Sequence, residues 1–197
     1  MARPTWALGF SDEVWWSRLA QPAQHCWTDA EATPKLQALT PRRDDADPTA
    51  LACYGLLLRL GPQQPDQMWL RFVAGRPVSV VTNEVLAWCA ARLAAPGCTA
   101  LRLIWDNASW HRSHAVRHWI RQRTQQGKRG AAGVRIIVCA LPSKSPWLNP
   151  IAPKWVHGTR AVSAPDRLLS ADELQARVYA SYGCECEEHL ILPKKVA

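Results

Sequence analysis

The chain has 197 residues, 24 Lys plus Arg against 16 Asp plus Glu, a formal net charge of +8, and 48% apolar residues that include 11 Trp. That length suits one domain of roughly 100–200 residues, and the apolar content is enough for a core, which excludes full disorder. No apolar run approaches the ~20 residues of a membrane span, the start Met-Ala-Arg-Pro-Thr-Trp has no secretory apolar segment, and seven cysteines without regular spacing read as free thiols in a reducing, cytoplasmic setting.

In chain order, residues 6–11 (Trp-Ala-Leu-Gly-Phe-Ser) read as a short buried strand that ends at Asp12-Glu13. His25-Cys26-Trp27 reads as a second strand. Thr28 to Thr49 is polar, with Pro34, Pro41, Pro48 and Arg42-Arg43-Asp44-Asp45, and reads as an irregular loop, long for a compact domain. Leu51–Leu60 and Gln67–Ala74 are apolar runs separated by a short turn with Gly61-Pro62, which predicts antiparallel neighbours. Thr82 reads as the N-cap of a helix carrying Val85, Leu86, Trp88, Cys89 and Leu93, stopped by Pro96-Gly97.

Ala100–Trp105 then reads as a strand stopping at Asp106, and Ser113 as the cap of a helix from His114 to about Gln126, ended by Gly127. Val134–Ala140 is a β-branched strand, followed by a loop over Leu141–Asn149. Asn149-Pro150 predicts a helix start, with Asn as N-cap and Pro at the first helical position. Ser170-Ala-Asp-Glu173 is a capping box. It opens a helix with Leu174, Val178 and Tyr182 on one face, closed by Gly183. Strands first, then alternating strand and helix, make an α/β pattern around one mixed central sheet. Chemistry in such sheets collects at the carboxyl ends of strands.

The positive charge is local. Between Arg102 and Arg167 stand twelve Lys or Arg and two acids, Asp106 and Asp166, whereas the remainder has twelve basic and fourteen acidic residues. A one-sided field of this kind favours a polyanion, with DNA or RNA the usual one; a merely solubilising basic surface is the plain alternative. Asp12 and Asp106 each follow an apolar strand. On neighbouring strands their carboxylates share one edge, repel, and call for a proton or a cation. Oxygen ligands there suit Mg²⁺ or Mn²⁺, and such ions serve phosphodiester cleavage. Either Asp taken alone is more simply a turn cap.

The flanking sequences add to this. Ile104-Trp-Asp-Asn-Ala-Ser-Trp-His-Arg-Ser113 resembles the second-acid motif of DDE transposases of the mariner superfamily, in particular the bacterial insertion-sequence branch. Leu141-Pro-Ser-Lys-Ser-Pro-Trp-Leu-Asn-Pro-Ile-Ala-Pro-Lys-Trp155 is similar to the third-acid motif, and Phe10-Ser-Asp-Glu-Val-Trp-Trp-Ser-Arg-Leu-Ala-Gln-Pro22 to the first. The three occur in the family's order, and the resemblance runs from about Trp6 to the C-terminus.

The resemblance implies an RNase H-like fold: a mixed sheet with helices on both faces, in a single catalytic domain over 1–197. It also implies an Mg²⁺-dependent (or Mn²⁺-dependent) enzyme that cuts DNA at transposon ends and joins the free 3′-OH to target DNA. Asp12 and Asp106 would be its first two metal-binding acids. Where the family places an acid after Asn-Pro-Ile, this chain has Ala152. A missing metal ligand is worth roughly two to four decades of rate. Glu13, facing away from Asp12 on a strand, is no natural substitute. With Met1 eleven residues before Asp12, the chain has no room for an N-terminal helix-turn-helix module, so end recognition is expected from a separate polypeptide. Paired-end cutting implies at least two subunits.

Other groups were weighed against these. His111, His114 and His118 recur at helical spacing beside Arg117 and Arg121 and read as a partly exposed helix face rather than a zinc site, with His111 near the substrate. Cys184-Glu-Cys186 with His189 lacks zinc-finger spacing and reads as an unpaired tail. Most Trp read as core. Trp147 and Trp155, beside Lys144 and Lys154, are candidate DNA contacts, and Lys144, Lys154 and His157 are candidate phosphate contacts flanking the third-acid helix. The competing readings are a catalytic domain weakened by Ala152, a non-catalytic DNA-binding relic, and an unrelated RNase H-like nuclease.

Overall fold

The computed structural model describes residues 5–19, 39–61, 63–128, 133–164 and 167–191. Six strands form one mixed sheet: β1 (Thr5–Ser17), β2 (Ala50–Arg59), β3 (Gln67–Ala74), β4 (Cys98–Trp105), β5 (Arg135–Ala140) and β6 (Leu190–Ile191), in spatial order β5-β4-β1-β2-β3-β6. β1, β2 and β3 pair antiparallel, whereas β4 runs parallel to β1, β5 to β4 and β6 to β3. Four helices cover it: α1 (Ser79–Ala94), α2 (His114–Lys128), α3 (Ala152–Val162) and α4 (Ala171–Tyr182). No helix among the described residues is long and apolar enough to cross a membrane.

Side-chain alternation divides the core in two. On one face Tyr54, Leu56 and Leu58 of β2 pack with Leu101 and Leu103 of β4 against Val81, Val85 and Leu93 of α1 and Val116 of α2. On the other, Cys53 and Leu57 pack with Trp16 and Phe72 against Trp155 of α3 and Val178 and Tyr179 of α4. Because β2 is covered on both faces, its sequence is an unbroken apolar run rather than an alternating one.

The strand and helix readings hold for β2, β3, β4, β5, α2 and α4. Ser113 Oγ accepts from Val116 N, and Ser170 and Glu173 form the expected box, closed at Gly183 by a left-handed φ of 61°. Several boundaries differ. β1 does not stop at Asp12 but runs on to Ser17, because β2 continues to pair with it: Asp12 opposite Gly55, Trp16 opposite Leu51. α1 starts at Ser79, so Thr82 is not its cap; it is buried inside the first turn, donating to Val78 O and sharing a hydrogen bond with the Tyr54 hydroxyl. Gly127 lies within α2, not beyond it. β6 gives no sequence pattern at all. It is two residues held by backbone pairing to β3, and the segment before it docks through Glu187 on Arg71 and Arg92. Residues 184–189 pack on the fold, with Cys184 donating to Met68 O and His189 stacked on Phe72, while Cys184 and Cys186 are free thiols as the unpaired reading expects. The strand proposed at His25-Cys26-Trp27, residues 28–38 of the long loop, and Asp166 lie outside the described residues; 39–49 is irregular as expected.

Candidate active site beside two parallel strands

The parallel β1–β4 register ends at Phe10 opposite Ile104, and two further residues along each strand bring Asp12 level with Asp106. The carboxylates are close enough for Asp106 to push the Asp12 carboxyl upward. Each is gripped from a different face of the sheet.

Asp12 points to the α3 side. Its Oδ2 accepts from Trp155 Nε1 at 2.9 Å and its Oδ1 from the Glu13 backbone N–H at 3.0 Å. The ring of Trp155 reaches that far because the residue beneath it is glycine: a Cβ on Gly55, the β2 partner of Asp12, would stand 2.2 Å from Trp155 Cη2. Burial raises the Asp12 carboxyl above the usual range; the indole N–H works against this, while Glu13 and Asp106 add to it.

Asp106 stands just past β4, with its side chain 51% exposed. Its Oδ1 accepts from Ala108 N and is 2.9 Å from His111 Nδ1. The other imidazole nitrogen, Nε2, lies 2.8 Å from Glu13 Oε1. The ring itself is buried and stacked on Trp105 at 4.2 Å and 4°. Burial alone would pull the His111 pKa down, but Glu13 and Asp106, on the two nitrogens, outweigh it and hold it above its ordinary value. Glu13 does face away from Asp12, as strand alternation requires. Through His111 it nevertheless reaches the second acid, a link that strand alternation by itself concealed.

Ala152 opens α3. The Asn149-Pro150 start is therefore two residues early: Ile151 holds the N-cap position. Asn149 is buried and its Nδ2 donates to Ser11 O, which ties the start of the helix to β1 next to Asp12. Ala152 and Trp155 are three residues apart and share a helix face, and Trp155 touches Asp12. Residue 152 is thus on the face turned to the acids, and it offers a methyl group. Two carboxylates supply hard oxygen donors of the kind Mg²⁺ and Mn²⁺ take. Among the described residues no group of three or more His, Cys, Asp or Glu converges as a complete metal cage would, and this applies equally to His111, His114 and His118 and to Cys184, Cys186 and His189. His114 and His118 simply stack on each other.

Residues 79–175 match the sequence profile of a family described as DDE superfamily endonuclease. That match covers 97 of the 197 residues and likens this part of the chain to that family. A search of curated proteins finds no match. Among solved structures, the Mos1 transposase paired-end complex with left transposon end superposes with a TM-score of 0.63 at 15% identity, covering 91% of this chain and 48% of that one. The Mos1 mariner paired-end complex with Mn gives 0.60 at 15% identity over 91% and 48%, and the one with Mg 0.53 at 15% over 90% and 48%. The likeness shows the fold, the RNase H-like one of a transposase catalytic domain, and the chain spans about half the length of these Mos1 chains.

The family match contains Asp106 and Ala152, while Asp12 precedes it. The candidate DNA contacts separate. Lys144, at a left-handed φ of 59°, lines a cleft of about 350 Å³ together with Asp106 and Asn107. Trp147 is 73% exposed and free to stack. Lys154 and His157 are exposed, two residues from Ala152 and Trp155 respectively, which turns them to the far side of α3 from Asp12. Trp155 is overturned as a DNA contact. It is 7% exposed, packed edge-on to Trp16 and committed to Asp12.

Proposed function

We propose that this chain is the catalytic domain of a transposase, a metal-dependent enzyme of DNA cleavage and strand transfer at insertion-sequence ends, impaired because position 152 is alanine. The observation that carries the reading is the placement of Asp12 and Asp106 level with each other just past the parallel pairing of β1 and β4, beside the α3 face that bears residue 152. Asp12 and Asp106 are the residues to hold Mg²⁺ or Mn²⁺. The raised Asp12 carboxyl has the unrelieved negative charge that a cation would offset. A divalent ion bound there supplies activation of the attacking oxygen and charge relief at the leaving oxygen. The protein's own part is positional: Trp155 and the Glu13 N–H aim Asp12, His111 aims Asp106, and the basic stretch on and after α2 draws in the phosphate backbone. The Mos1 neighbour is a paired-end complex with left transposon end, which supports DNA as the partner.

Ala152 itself favours a second reading, a DNA-binding relic without catalysis. Purified wild type and Ala152→Glu, assayed for Mg²⁺-dependent nicking of supercoiled DNA and for Mn²⁺ binding by electron paramagnetic resonance, separate the two. A disabled enzyme gains nicking and tighter Mn²⁺ binding in the variant alone, by about two to four decades in rate. Neither property in either protein, with DNA binding intact, is the relic. Equal nicking by both would remove residue 152 from the site.

A further inference from the structure

Several of the described arginines are paired internally: Arg18 with Asp45, Arg59 with Asp66, Arg71 and Arg92 with Glu187. Arg112, Arg117 and Arg121 are different. All three are exposed, and among the described residues none has a side-chain hydrogen bond or ion pair. They line a groove of about 500 Å³ whose wall also includes Asp106, with Trp105 and Val138 among its apolar lining. Arg117 and Arg121 are one turn apart on α2, so their Cβ atoms lie about 5–6 Å from each other. Like charges at that spacing destabilise a helix, and among the described residues no acid forms an ion pair with them. The same arrangement is favourable once an extended anion lies along it, because each guanidinium forks onto phosphate oxygens.

We propose that this groove is the track along which the phosphodiester backbone of DNA approaches Asp106, with Arg112, Arg117 and Arg121 as its contacts. Three cations along one groove match a run of phosphates rather than one, and the groove lies on the Asp106 side of the sheet, away from Lys154 and His157. The inference rests on the reading of the chain as a DNA-cutting domain, and it is tested by a quantity independent of cleavage.

Binding of a short fluorescent DNA duplex is followed by anisotropy between about 50 and 200 mM NaCl. The variant Arg112→Gln/Arg117→Gln/Arg121→Gln lowers the slope of log K against log salt by about 2–3, near 0.9 per phosphate contact, and weakens binding at least tenfold. The charge-matched control Arg42→Gln/Arg43→Gln/Arg76→Gln, exposed and outside the groove, changes the slope by less than about one. Arginine-to-lysine versions of the groove triple keep the slope. Should the glutamine triple melt below the wild type, Arg121→Gln alone carries the test with a fall of about one. Equal losses in groove and control triples, or an unchanged slope in the groove triple while the wild type binds, overturn the track and leave the proposed function standing. A wild type that binds no DNA overturns both.

Discussion

Asp12 and Asp106 stand level with each other on parallel neighbours, yet their surroundings are opposites. Asp12 is set in the middle of a long strand, covered by a helix and bonded to an indole that belongs to the core. Asp106 sits at a strand end, half exposed at a groove, held by a buried histidine whose far nitrogen rests on a second carboxylate. The first acid is therefore part of the packing of α3, and disturbing it disturbs the fold. The second is aimed by a chain of polar contacts, from Glu13 through His111, rather than by the packing of a helix. In physical terms the site is the seam between the two half-cores, one acid supplied from each.

The sharpest way to break this contrast is to remove the two supports. Trp155→Ala should cost about 3–5 kcal/mol in urea unfolding, the usual cost of a buried aromatic truncated to alanine. His111→Ala leaves the Glu13 side chain, only 7% exposed, without its partner, and should also cost about 3–5 kcal/mol. The contrast makes a further demand on gentler changes. In the double variant Trp155→Phe/His111→Gln the stability losses should add to within about 0.5 kcal/mol. A coupling well above that would mean that the two carboxylates are one unit and the two-sided description is wrong. Next in size, Gly55→Ala should cost about 1–3 kcal/mol, because the added methyl meets a rigid ring rather than the end of a flexible chain. It should also free Asp12 from Trp155, and the same melt followed by tryptophan emission reads both effects.

Much of this was legible in the sequence, and the exceptions have a common cause. Apolar runs and caps placed β2, β3, β4, α2 and the box at Ser170 because those signals are local. The two acids were found because each follows an apolar strand and because the flanking motifs resemble a known family. What stayed hidden was decided by long-range contacts. β1 continues past Asp12 only because β2 is there to pair with it. Two residues at 190–191 become a strand only because β3 offers an edge. Trp155, beside a lysine in a motif, reads as a surface aromatic until Gly55, a hundred positions earlier, is seen to make room for it. Glu13 was set aside on strand alternation, which was right about direction; the histidine that connects it to Asp106 lies 98 residues away in sequence.

The smallest effect concerns the wall behind Asp12. α3 packs on α4, whose first turn depends on Glu173. The Arg167 guanidinium and then the Ser170 backbone N–H hold the Glu173 carboxyl down at about 2. A depressed carboxyl contributes stability above its ordinary value of 4.5 and loses it as pH falls toward about 2. Glu173→Gln should therefore flatten the acid limb of the stability curve in that window and leave the curve's shape near neutrality unchanged. If α4 supports only the Asp12 side, the difference between the two proteins should show in tryptophan emission from the Trp16–Trp155 pair, and the amide exchange of β4 and β5, which carry the Asp106 side, should stay the same. Equal changes in both halves would show that the seam transmits, and that the two acids are not independently supported.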